Sequence, residues 1–106
     1  MNNKSRYRLS KRAAETLGDI FSHTLHHFGL AQAQDYSNSL LNTFHIIADN
    51  PELGRLHSDL SPPARVHPHR QHVLLYILDE GGLPHIIQIY NARQNWKQRH
   101  STTASE

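Results

Sequence analysis

Two amphipathic helical stripes, separated by little more than Gly29, constrain this chain more than anything else in it. Ala13, Ala14, Leu17, Ile20, Phe21, Thr24, Leu25 and Phe28 recur at intervals of three and four, which is one face of a helix. Ala33, Tyr36, Leu40, Phe44 and Ile47 repeat that spacing over about residues 31–49. Gly29 stands where a left-handed residue would end the first helix. With one or two residues to turn in, the pair must run antiparallel as a helical hairpin. Ser10 fits the N-cap of the first helix. Asn50-Pro51 stops the second, because a residue before proline is pushed out of the helical region.

The hairpin is also where the acids are. Residues 13–52 hold Glu15, Asp19, Asp35, Asp49 and Glu52 and no Lys or Arg, a net of −5. The remainder holds all 11 Lys and Arg and four acids, a net of +7. A chain divided this way presents surfaces of opposite sign to its partners.

The other segments read as strands. Tyr7-Arg8-Leu9 alternates polar and apolar. Residues 53–63, with Gly54, Pro62 and Pro63, read as a loop. Residues 64–67 form a short edge strand that Pro68 ends. Residues 72–78 are almost wholly apolar, as a strand covered on both faces would be. Asp79-Glu80-Gly81-Gly82 is a turn, and residues 85–90 are the strand that pairs back. The fold class is therefore α+β: an N-terminal strand, then a helical hairpin on one face of a small, mainly antiparallel sheet, with the other face partly open. At 106 residues the chain has room for one modest core. Residues 1–100 form a single domain, and 101–106 are a small polar tail.

Several classes of chemistry find no support. Cys is absent, which removes disulfides and thiolate metal sites and fits a reducing cytosol. No apolar run approaches the roughly 18 residues of a membrane span. Met1 to Lys4 is polar and leads into no apolar stretch, so no secretory leader is expected. Gly81-Gly82 lacks the strand-to-helix setting of a phosphate loop, and neither a Gly-x-Ser-x-Gly nor a His-Glu-x-x-His element occurs. His67 and His69 share a strand face, and His23 and His27 are spaced i, i+4, but neither pair has an evident third ligand. No metal, cofactor, membrane or small-molecule substrate is expected. The basic set stands out instead. Arg65 and Arg70 on the sheet side, and Arg93, Lys97 and Arg99 around Trp96, are residue types that grip phosphate and anchor protein interfaces. The bland alternative is a solvated basic face on which Trp96 folds back to cap the core.

Five segments in order resemble the ParE toxins of type II toxin–antitoxin modules, within the RelE/ParE superfamily. They are Tyr7-Arg8-Leu9-Ser10 with Ala13 and Ala14, then Phe28-Gly29-x-x-Gln32-Ala33-x-x-Tyr36, then Asn50-Pro51-Glu52-Leu53-Gly54-Arg55. His72-Val73-Leu74-Leu75-Tyr76 and Ile89-Tyr90-Asn91-Ala92-Arg93-Gln94-Asn95-Trp96 complete the set. The resemblance implies a β-α-α-β-β-β fold and a bacterial cytoplasmic toxin neutralised by a ParD-like antitoxin. It implies poisoning of DNA gyrase, whereas RelE-like relatives cut mRNA on the ribosome. The RelE-like branch uses several Lys and Arg with a Tyr or His near the C-terminus. Here residues 53–71 lack Lys, residues 93–106 lack Tyr, and Asn91 stands at the family's usual His.

Three readings follow. In the first, Arg93, Trp96, Lys97 and Arg99 engage gyrase or its bound DNA. In the second, Arg65, Arg70 and His72 serve a ribosome-dependent ribonuclease. In the third, the chain keeps the fold but only binds its partner. In the first two, the antitoxin's C-terminal segment docks on the hairpin and the open sheet face through apolar side chains such as Leu17, Phe21, Leu40 and Phe44. The acidic hairpin calls for a basic antitoxin segment.

Overall fold

Ser10 starts the first helix as its position predicts. Its Oγ accepts the Ala13 N–H at 2.9 Å and donates to the Ile87 carbonyl at 2.8 Å, so one side chain both caps the helix and ties it to the sheet. The computed structural model describes residues 6–105, with side chains through Ser101. Met1–Lys4 therefore lies outside the described residues. The order is β1 (Arg8–Leu9), α1 (Lys11–Phe28), α2 (Leu30–Asp49), β2 (Arg55–His57), β3 (Ala64–His69), β4 (His72–Leu78), β5 (Pro84–Asn91) and α3 (Trp96–Ser105). Gly29 alone separates α1 from α2. Its φ of 94° and ψ of 171° lie in a region open essentially to glycine, and its N–H closes α1 on the Leu25 carbonyl.

The strands form one sheet in the order β1-β5-β4-β3-β2. β1 runs parallel to β5, and every other pairing is antiparallel. Two departures from the sequence reading change the sheet's edge. Arg55-Leu56-His57 is a strand rather than loop, pairing Arg55 with Val66 and His57 with Ala64. It takes the edge, so β3 is an inner strand. β3 also runs through Pro68 to His69, because Pro68 lies past the last residue that β2 pairs, where the missing N–H leaves no ladder partner short.

β4 is covered on both faces, as its apolar run predicts. Leu74 and Tyr76 meet the hairpin side, with Ala13, Leu40, Phe44, Ile47, Ile86 and Ile89. Val73 and Leu75 point the other way, into a second cluster with Leu60, Ala64 and Val66. That far face was expected to be partly open; Leu60 from the β2–β3 loop and Trp96 from α3 close over it. α3 itself continues to Ser105, through the stretch read as a polar tail. A register shift opposite Leu75/Tyr76 passes over Ile87. Beside it the Gln88 side chain accepts the Ile89 N–H at 2.9 Å, so the irregularity leaves that buried amide satisfied.

Candidate functional site

The Asn50–Arg55 segment is pinned beneath the sheet by a single tyrosine. Tyr76 is fully buried; its hydroxyl accepts the Gly54 N–H at 2.7 Å and donates to the Pro51 carbonyl at 2.8 Å. A side chain at residue 54 would bring its Cβ to 2.7 Å from the Tyr76 ring, so only glycine fits. Arg65 fastens the same loop from outside, donating to the Gly54 carbonyl at 2.8 Å and the Glu52 carbonyl at 3.3 Å. Arg65, a ribonuclease candidate from the sequence, is thus engaged in holding a loop.

Arg70 and His72 come together instead at the far end of the β3–β4 hairpin. Arg65 lies four strand residues from His69, roughly 13 Å along the sheet. The Arg70 guanidinium sits 5.6 Å from the Tyr36 ring centre, and the Tyr36 hydroxyl meets His72 Nδ1 at 2.7 Å. His69 is gripped beside them: Ser39 Oγ lies 3.0 Å from its Nε2 and Thr43 Oγ1 2.9 Å from its Nδ1. Burial holds His67, His69 and His72 below the ordinary histidine range, and the Arg70 charge adds to this at His69. With both ring nitrogens of His69 taken, the His67–His69 pair has no ligand to offer from that residue. His27 Nδ1 likewise contacts the His23 carbonyl at 2.9 Å. Among the described residues no cluster of three metal-ligating side chains occurs.

Next to this group is an open cavity of about 430 Å³. Asp19, His23 and Phe28 of α1, Gln32 and Tyr36 of α2, Gln71 of the β3–β4 turn, and His72 and Asn91 of the sheet are among its lining. The sequence reading placed Tyr36 on the apolar face and missed this convergence. The one signal was that Tyr36 carries the only hydroxyl on that stripe.

The apolar candidates separate by depth. Leu40 and Phe44 are fully buried in the core, so they hold α2 to the sheet and are not available as docking side chains. Leu17 and Phe21 are half-buried, and Leu17 packs against that core. The open part of the α1 stripe is its C-terminal end, where Phe28 is 62% exposed beside Leu25 and Leu30.

The basic C-terminal group also divides. Trp96 stacks on Tyr90 with ring centres 6.2 Å apart and covers the second core cluster. Lys97 pairs with Asp59 at 3.3 Å, and Arg99 donates to Gln94 Oε1 at 2.6 Å. Arg93 is exposed, with its backbone N–H held by Asn91 Oδ1 at 2.8 Å. His100 is buried against Tyr90, whose hydroxyl lies 2.9 Å from Nδ1. Burial and the Arg12 charge keep it below the ordinary range.

Residues 7–96 match the model of a family described as the ParE toxin of the type II toxin–antitoxin system parDE. The chain belongs to the ParE toxin family. Toxin ParE1 of Caulobacter vibrioides is 36% identical over 70 residues, 66% of this chain and 73% of the relative. Toxin ParE1 of Mycobacterium tuberculosis is 29% identical over 91 residues, 86% of this chain and 93% of the relative. A solved chromosomal ParDE toxin–antitoxin system from P. aeruginosa matches in fold at a TM-score of 0.67 and 16% identity, covering 82% of this chain and 98% of that one. In this ParE-family chain the Gly54–Tyr76 contact locks the Asn50–Arg55 segment to β4. Among the described residues, no helix of this ParE-family chain is long and apolar enough to cross a membrane.

Proposed function

We propose that this ParE-family toxin is neutralised by a ParD-like antitoxin and acts on DNA gyrase, or on the DNA that gyrase holds, through its basic C-terminal side. The observation that carries the reading is the dispersal of the ribonuclease candidates. Arg65 is committed to the 52–54 carbonyls and is remote from His72, while Arg93 is exposed and cationic. A protein- or DNA-contacting role asks for exposed charge rather than for a proton-transfer constellation. The antitoxin seat fits the outer part of the hairpin, where Leu17 and Phe21 are half-buried and Leu25, Phe28 and Leu30 are exposed. Binding coupled to folding of a partner segment can cover such a surface.

The test is expression with and without the cognate antitoxin. The wild-type chain is expected to arrest growth, the antitoxin to relieve it, and a folded Arg93→Glu variant to be harmless. Full toxicity from Arg93→Glu rejects the C-terminal assignment, and a harmless wild type leaves a partner-binding module.

One observation favours a second reading, the ribosome-dependent ribonuclease. Tyr36, His72 and Arg70 meet at the edge of the cavity with a 2.7 Å hydroxyl–imidazole contact. Intact mRNA in arrested cells removes that reading; cleavage lost on His72→Gln supports it.

A further inference from the structure

The start of α1 carries the wrong charge for a helix N-terminus. Aligned peptide dipoles make that end positive and favour acids there. The first turn of α1 has no acid; it has Lys11 and Arg12, and Arg8 precedes them on β1. All three are exposed. Among the described residues, none of them has a carboxylate within ion-pair distance, whereas Arg6 pairs with Asp49 and Lys97 with Asp59. Glu15, one turn beyond Lys11, makes no ion pair with it.

α3 is brought to the same end. Tyr90 on β5 holds His100 at 2.9 Å, and Arg12 lies close enough to disfavour a charge on that ring. Ser10, one residue before α1, bonds the Ile86 and Ile87 carbonyls of β5. β5 therefore anchors both the start of α1, at Ile86 and Ile87, and the middle of α3, at Tyr90, with Arg99 next to His100 in sequence. Asp49, at the end of α2, returns to this end of the hairpin and is taken by Arg6.

We propose that Arg8, Lys11 and Arg12, together with Arg99, form a docking surface for the phosphate backbone of duplex DNA. The proposal rests on the reading that the toxin's target carries DNA, and extends it to a part of the chain outside the C-terminal group. Helix stability alone disfavours these cations, and a polyanion is the partner that uses them. Duplex DNA is densely charged, and each phosphate neutralised releases counterions, so such binding needs no base contacts.

The test is fluorescence anisotropy of a labelled random-sequence duplex with the antitoxin-free full chain over a salt series, beside thermal melting. Lys11→Gln/Arg12→Gln is expected to weaken binding tenfold or more at low salt. Its log–log salt slope is expected to fall by about two, since each lost phosphate contact removes about 0.9. Because two cations leave the positive pole of α1, the variant is expected to melt no lower than the wild type. Arg55→Gln, at the opposite edge on β2, is expected to bind as the wild type does. Undiminished binding by the double variant, or no duplex binding by a wild type that still inhibits gyrase, overturns the proposal and leaves the gyrase reading standing. Duplex binding that needs Lys11 and Arg12, without gyrase inhibition, keeps this surface and removes gyrase as the target.

Discussion

At the scale of single residues, the Asn50–Arg55 loop depends on one hydroxyl and one missing side chain. Tyr76→Phe leaves the buried Gly54 N–H without its acceptor, and is expected to cost about 1–3 kcal/mol. Gly54→Ala forces a Cβ against the Tyr76 ring, and is expected to cost about 1–3 kcal/mol. Urea denaturation of both variants checks this; midpoints equal to the wild type would show the contact to be dispensable. None of it was legible in the sequence. Gly54 read as a loop marker and Tyr76 as one more apolar strand residue, and no local pattern joins positions so far apart. The same limit hid the Ser39–His69–Thr43 grip and the pairing of Tyr36 with His72. Depth within a stripe was hidden too. Leu40 and Phe44 share a helical period with side chains that are merely half-buried, and period alone does not say how far a residue sinks.

At the scale of elements, the strongly periodic parts were legible and the short ones were not. Both hairpin helices, the Ser10 cap, the Asn50-Pro51 stop and the apolar β4 follow from spacing and punctuation. β2 has three residues, too few for a pattern, and it is a strand because β3 offers it an edge. The Arg55-Leu56-His57 alternation was its one available sign. α3 is polar for most of its length, so no stripe announces it. Trp96 anchors it from its first residue by covering a sheet face that the hairpin does not reach. The hairpin makes a sharper prediction. At Gly29 the backbone takes φ 94°, which an L side chain rarely adopts, so Gly29→Ala is expected to cost roughly 1–3 kcal/mol although the space around it is open. An unchanged melting temperature would mean that the α1–α2 joint relaxes to another conformation.

Across the whole molecule, charge is segregated along the sequence, and burial disfavours the charged form of four histidines. Burial lowers the pKa of His67, His69, His72 and His100, with neighbouring positive charge contributing at His69 and His100. An unfolded histidine titrates near about 6.5. Below that value the unfolded chain binds more protons than the folded one, so stability is complete above it and falls as the solution is acidified towards the folded values. Urea midpoints are therefore expected to be lower at about pH 5.5 than at about pH 7.5 at equal ionic strength; equal midpoints would show that burial does not lower these histidines. Charge segregation was legible from the sequence, but which cations are engaged was not. Lys97 reaches Asp59 across the fold, while Arg93, Lys11 and Arg12 remain outside the described ion pairs. The action proposed for this ParE-family chain is on gyrase, through its basic side. The most direct measurement is gyrase supercoiling with the antitoxin-free protein titrated in. Inhibition with accumulating cleaved DNA, reversed by the antitoxin and lost in Arg93→Glu, is the predicted result. Undisturbed supercoiling by folded protein that still arrests growth would contradict it.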